Sequence, residues 1–176
     1  MADRSPTIGV ATVRAWARSL PPGASILDLG CGSGVPISQA LIEDGFDVWG
    51  VEASPTLASA FRRRFPAASV VCEAVEVTDF FGRTFDGVLA IGLVFLLPAD
   101  AQGDLIRRVA RVLKPGGRFL FTAPAETGTW RDRTTGRESR SLGSEAYTSL
   151  LAGAGLTVAG ESDDEGGNHH YDAVRR

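Results

Sequence analysis

The chain has 176 residues, 44% of them hydrophobic, and a formal net charge of −3. This fits a single packed domain over 1–176 and excludes a disordered chain. The acidic balance provides no basic field for a nucleic-acid partner. The absence of a secretory signal and of any apolar run of about 18 residues points to the cytoplasm, with no membrane partner.

Residues 1–6 are expected to be disordered. From Thr7, apolar residues Val10, Val13, Trp16, Ala17 and Leu20 recur at helical spacing, and Pro21-Pro22-Gly23 ends that helix. A buried strand is expected at 25–29, then a helix from about Gly34 to Asp44 with Gly45 closing it. A second strand (47–51) precedes Ser54-Pro55, a cap and first-turn proline that start a helix ending near Phe65. Further strands are expected at 69–72 and 85–91, the latter a continuous apolar run. Asp100 opens a helix burying Leu105, Ile106, Val109, Val112 and Leu113; Lys114-Pro115-Gly116-Gly117 stops it, and a strand follows at 118–122. The polar stretch 123–143 has no clear element and reads as a lid or acceptor loop. A helix (144–152), a strand (156–161), an acidic loop (162–168) and a last strand (170–174) complete the chain.

The most informative stretch is Leu27-Asp28-Leu29-Gly30-Cys31-Gly32-Ser33-Gly34, a strand end, an acid and three alternating glycines. Glycines there let backbone N–H groups approach a ligand that a Cβ would hold off. The spacing is one residue tighter than the dinucleotide fingerprint G-x-G-x-x-G, which argues against a nicotinamide oxidoreductase. The next apolar run ends in Val51-Glu52-Ala53-Ser54, an acid that can accept both hydroxyls of a ribose.

The string LDLGCGSG followed by VEAS, with LKPGGRF further on, resembles the class I S-adenosylmethionine-dependent methyltransferases. The resemblance covers about Ala24 to Arg176. It implies a doubly wound α/β fold, a seven-stranded sheet in the order 3-2-1-4-5-7-6 with only the last strand antiparallel. It also implies S-adenosyl-L-methionine as cofactor, S-adenosyl-L-homocysteine as product, and a small-molecule methyl acceptor. By the same resemblance, Asp28 orients the glycine loop and contacts the methionine end, Gly30, Cys31, Gly32, Gly34 and Ala53 belong to the cofactor site, Glu52 takes the ribose hydroxyls, and the Glu73 side chain or the Ala74 backbone meets the adenine. Ile91, Gly92 and Leu93 line the floor beneath the sulfonium. Gly92-Leu93-Val94-Phe95 lacks the Asn/Asp-Pro-Pro-aromatic motif of base methylases, which makes DNA-base methylation an unexpected activity.

Cys31 and Cys72 lie two strands apart, about 10 Å, beyond disulfide reach. The Arg62-Arg63-Arg64 run reads as a solvated helix end, and Trp16 as core with a secondary role over the cofactor. His169 and His170 begin the last strand at the ligand end of the sheet and are the candidate catalytic residues, with Asp163 and Asp164 as further candidates for taking the acceptor's proton. Successive strand residues face opposite ways, so one histidine at most looks into the site. No metal-ligand spacing is present. The chain is expected as a monomer or homodimer. The alternative reading is a catalytically silent cofactor-binding module in partnership with another subunit.

Overall fold

The computed structural model describes residues 7–133 and 135–176; the disorder expected at 1–6 lies outside them. In chain order the elements are α1 (Val10–Ala17), β1 (Ser25–Leu29), α2 (Ile37–Glu43), β2 (Asp47–Val51), α3 (Pro55–Arg64), β3 (Ser69–Val71), β4 (Phe85–Ala90), α4 (Ala99–Val112) and β5 (Leu113–Thr122). They continue through β6 (Gly128–Arg131), β7 (Glu138–Ser141), α5 (Ser144–Gly153), β8 (Leu156–Asp163) and β9 (His169–Arg175). One sheet has seven strands in the order β3-β2-β1-β4-β5-β9-β8, and β6 pairs with β7 in a second. In the large sheet only β9 runs against its neighbours. This is the doubly wound order that the sequence led us to expect.

The sheet is buried on both sides because its central strands are apolar on both faces. On β1, Ile26 faces the α1–α2 side with Val13, Trp16, Leu41, Leu89 and Leu120. Its neighbours Leu27 and Leu29 face the α4–α5 side with Val88, Phe119, Phe121, Tyr147 and Tyr171. Helix α4 presents Leu105, Ile106, Val109 and Ala110 to that core at helical spacing. Trp16 is only 6% exposed. A Cβ on Gly87 would lie 2.8 Å from its ring. Bare backbone in β4 therefore lets α1 lie close on the sheet, and Trp16 is core at mid-strand rather than a cover for the ligand edge.

Several boundaries differ from the sequence reading: β5 begins at Leu113, not Arg118, so Leu113 is a strand residue, and β8 runs on to Asp163. Helix α2 starts at Ile37, not Gly34, because Gly34 sits at φ +84°, outside right-handed helix space. The stretch 123–143 contains the β6–β7 hairpin. Strand β7 alternates exposed Glu138 and Arg140 with buried Ser139 and Ser141. Its inward residues are serines, so the usual apolar alternation is missing from the sequence.

Buried polar contacts fix the hairpin's root. Gln102 Nε2 donates to the carbonyls of Leu97 and Arg140, both at 2.9 Å, while Tyr147 donates its hydroxyl to Gln102 Oε1 at 2.7 Å. Ser141 Oγ donates to the Pro124 carbonyl at 2.6 Å. No helix among the described residues is long and apolar enough to cross a membrane.

The parallel strands all end at one edge, at Leu29, Val51, Val71, Ala90 and Thr122, and β9 begins there with His169. The chemistry-bearing residues of the sequence collect at this edge.

Candidate functional site

The turn after β1 is held by β2. The Val51 carbonyl accepts the N–H groups of Gly30 (2.8 Å) and Cys31 (3.1 Å), and Gly34 N–H closes the turn onto the Cys31 carbonyl. Gly32, at φ +58°, has open space where a Cβ would stand.

Glu52 ties this turn to the tip of β2. One carboxylate oxygen accepts Gly32 N–H and the other Ser54 N–H, both at 2.8 Å. An ionised carboxylate has about four acceptor positions, so two are left for a ligand. The side chain is half-buried at the edge of the sheet. Ser54 in turn caps α3, its hydroxyl accepting Leu57 N–H at 3.4 Å.

Asp28 lies beneath the turn, 3% exposed, and accepts the Ser38 hydroxyl at 2.5 Å. Burial raises its pKa to about 7; the Ser38 bond offsets part of that rise and the Glu52 charge adds to it. Its folded pKa thus lies above the unfolded value of about 3.9. The folded state retains a proton that the unfolded chain loses, so the group's contribution falls as pH rises from about 4 to 7. Relative to Asp28→Asn, wild-type stability should fall by about 1 kcal/mol per pH unit between pH 5 and 7. Urea midpoints of the two proteins measure this; parallel pH profiles would reject it.

Burial also pushes the Cys31 thiol up, with the Asp28 and Glu52 carboxylates adding to the shift, so it is not a thiolate nucleophile. Cys31 and Cys72 are both free.

Across the edge, Gly92 at φ +72° donates its N–H to Thr122 Oγ1 at 2.7 Å and, like Gly32, has open space at its Cβ position. Leu93 leans over Gly30, its Cδ1 3.3 Å from where a Cβ would be. Ile91 is half-buried beside it. The ends of β1 and β4 therefore form one floor. Of the adenine-side candidates, Ala53 and Glu73 are exposed and Ala74 half-buried; the Ala74 carbonyl accepts the N–H groups of Val77 and Thr78. Over the turn after β4, Phe95 meets Trp130 of the hairpin, with ring centroids 5.6 Å apart. Trp130 lies in the stretch that the sequence marks for the acceptor, but Ser38, Thr122 and Phe95 carried no signal, since their roles come from contacts between distant segments.

The histidines separate as strand geometry requires. His169 is pinned between carboxylates, Nδ1 at 2.7 Å from Asp163 and Nε2 at 2.8 Å from Glu161, with its ring edge-on to Tyr171. Burial lowers its pKa, but Glu161 and Asp163 outweigh this and raise it overall. His170, 1% exposed, places Nε2 3.0 Å from Asp164 Oδ2, and its buried Nδ1 has no hydrogen-bond partner. Burial would raise the Asp164 carboxyl; hydrogen bonds from His170, Asn168 and Gly166 N–H outweigh it and hold it at about 2.

A glycine turn, an acid at the tip of β2 and an open floor meet at the carboxyl edge of a 3-2-1-4-5 sheet, the edge where ligands sit in doubly wound folds. The methyltransferase domain model matches residues 26–117, more than half of the chain, and the chain belongs to that family. It is 42% identical over 123 residues to the cypemycin N-terminal methyltransferase of a Streptomyces species, covering 64% of this chain and 48% of that protein. It is 30% identical over 104 residues to the ubiquinone biosynthesis O-methyltransferase of Coxiella burnetii, covering 57% of this chain and 43% of that one. The chain thus spans about half the length of these relatives. In fold it is similar to the CcbJ methyltransferase of Streptomyces caelestis (TM-score 0.81, 20% identity, 99% of this chain and 92% of that one). It is also similar to the 1,6-didemethyltoxoflavin-N1-methyltransferase of Burkholderia thailandensis, solved with bound 1,6-didemethyltoxoflavin and S-adenosylhomocysteine (TM-score 0.78, 22% identity, 94% of this chain and 76% of that one).

Proposed function

We propose that this chain binds S-adenosylmethionine and transfers its methyl group to a small-molecule acceptor. The observation that carries the reading is Glu52, whose carboxylate is steered by Gly32 and Ser54 N–H groups and keeps acceptor positions free at the sheet edge. The open backbone at Gly32 and Gly92 fits the same ligand: a Cβ there would enter empty space beside the floor. When bound, the cofactor supplies an electrophilic methyl group on a sulfonium. The protein's residues then need to do two things, hold the ribose through Glu52 and align the acceptor over Ile91, Gly92 and Leu93. Good alignment alone is worth effective molarities of about 10⁵ M or more, so displacement in line requires no nucleophilic triad.

The net charge of −3 favours a small acceptor over a nucleic acid. Trp130 of the hairpin packs on Phe95 of the turn after β4, which supports a lid role for 123–143. Calorimetric titration with S-adenosylhomocysteine tests the reading. Micromolar binding is expected. Tight NADH binding without S-adenosylhomocysteine binding would sink it in favour of an oxidoreductase. Binding without methyl release to any small-molecule, peptide or nucleic-acid acceptor would favour the silent module.

A further inference from the structure

Arg108 stands on α4 among buried Leu105, Ile106 and Val109, so the root of its side chain is fixed by the core. Its head reaches the connection between β3 and β4. Nη1 donates to the Val75 carbonyl at 2.6 Å and Nη2 to the Thr78 carbonyl. The same guanidinium lies over Phe80, 4.6 Å from the ring centroid. Val75, Thr78 and Phe80 are all buried. One planar fork therefore holds the start of the connection and its turn together.

That turn needs holding. Phe80 and Phe81 both lie in the left-handed region, at φ +54° and +61°, where a bulky side chain is strained. Such strain persists only where the surroundings over-determine the backbone. Here the surroundings are Arg108 on the Phe80 ring, the Thr78 hydroxyl accepting Phe80 N–H at 3.3 Å, and Trp49 edge-on to Phe81 at 5.0 Å. The Ala74 carbonyl accepts the N–H groups of Val77 and Thr78, which ties the turn to the residues that follow β3 at the ligand edge. Glu73 is exposed at that edge. Val75, whose carbonyl Arg108 takes, comes directly after Ala74.

We propose that Arg108 is a positioning residue for recognition of the cofactor's base. It fixes the backbone at Glu73 and Ala74 without touching the ligand, and so gives the site its preference for a 6-aminopurine over a 6-oxopurine. This rests on the methyl-transfer reading, with the adenine at Glu73 and Ala74. The adenine amino group donates, and a carboxylate or carbonyl oxygen accepts; a 6-oxo group would turn an acceptor toward that oxygen instead. Such a mismatch discriminates well only when the reading oxygen is held in place. The loop after β3 is short of its own anchors, and α4 supplies one through Arg108. Lysine cannot replace it fully, because a single ammonium does not reproduce the fork across two carbonyls.

The test is calorimetric titration of the full-length wild type, Arg108→Met and Arg108→Lys with S-adenosylhomocysteine and with its 6-oxo analogue, S-inosylhomocysteine. Wild type should prefer S-adenosylhomocysteine by about tenfold or more. Arg108→Met should weaken S-adenosylhomocysteine about tenfold and the analogue less than about threefold, so the preference shrinks; Arg108→Lys should fall between. A purely structural role would weaken both ligands by the same factor. Equal binding of the two ligands by wild type, or an unchanged preference in Arg108→Met, overturns the proposal. Should Arg108→Met fail to fold, wild-type amide exchange decides: saturating S-adenosylhomocysteine should slow exchange at Val77 and Thr78, whose N–H groups bond to the Ala74 carbonyl, and unchanged rates overturn the proposal. Failure of wild type to bind S-adenosylhomocysteine at all would overturn the methyl-transfer reading instead.

Discussion

Glu52→Ala should raise the dissociation constant for S-adenosylhomocysteine by at least tenfold. A hydrogen bond to a charged group is worth roughly 1.5–3 kcal/mol, and each 1.4 kcal/mol is about tenfold in affinity. Loss of one ribose hydroxyl contact thus predicts a ten- to hundredfold effect, and loss of both a larger one. Part of the cost is indirect. Glu52 also accepts Gly32 and Ser54 N–H groups, so its removal loosens the turn that shapes the site. Glu52→Gln separates the two parts. Its amide keeps one acceptor oxygen and turns a donor toward a backbone N–H, so its affinity should fall between wild type and Glu52→Ala. An unchanged dissociation constant in Glu52→Ala would remove Glu52 from the ribose site.

The fold was legible because its signals are local and of the right period. Continuous apolar runs mark β1 and β4, and Ser54-Pro55 starts α3 as its spacing required. The glycines and Glu52 were legible for a different reason: each sits at a strand end, where the topology brings it to the ligand edge. Three features were not readable. The β6–β7 hairpin hides because its inward residues are serines rather than apolar side chains; Ser141 donates to the Pro124 carbonyl, while the buried Ser139 hydroxyl has no hydrogen-bond partner. The Gln102–Tyr147 contact that anchors its root joins residues 45 apart, which no local pattern reports. The difference between His169 and His170 also depends on the fold. Strand alternation predicts opposite faces, but which face is lined by two carboxylates and which leaves a nitrogen bare is decided by the β8–β9 register.

Two alanine substitutions in the same turn should fail in opposite ways, and the contrast tests whether the open space belongs to a ligand. Gly34 sits at φ +84°, and a Cβ there would lie 2.5 Å from Phe65 Cε2 and 2.9 Å from Phe61 Cδ2. Phe61 is fully buried and cannot move aside. Left-handed backbone costs an alanine about 1–2 kcal/mol, and overpacking adds about 1–3 kcal/mol. Gly34→Ala should therefore lose roughly 2–5 kcal/mol, a large share of the ~5–15 kcal/mol that holds a typical domain together. Gly32 is also left-handed, at φ +58°, but nothing lies within 4 Å of its Cβ position. Gly32→Ala should lose only the backbone share of about 1–2 kcal/mol. Its methyl group would occupy open space in the turn that Glu52 holds, so S-adenosylhomocysteine affinity should fall about tenfold or more while the urea midpoint moves little. If Gly32→Ala binds as tightly as wild type, that space is not where the cofactor sits, and Glu52 would be left as an acid that merely steadies the turn.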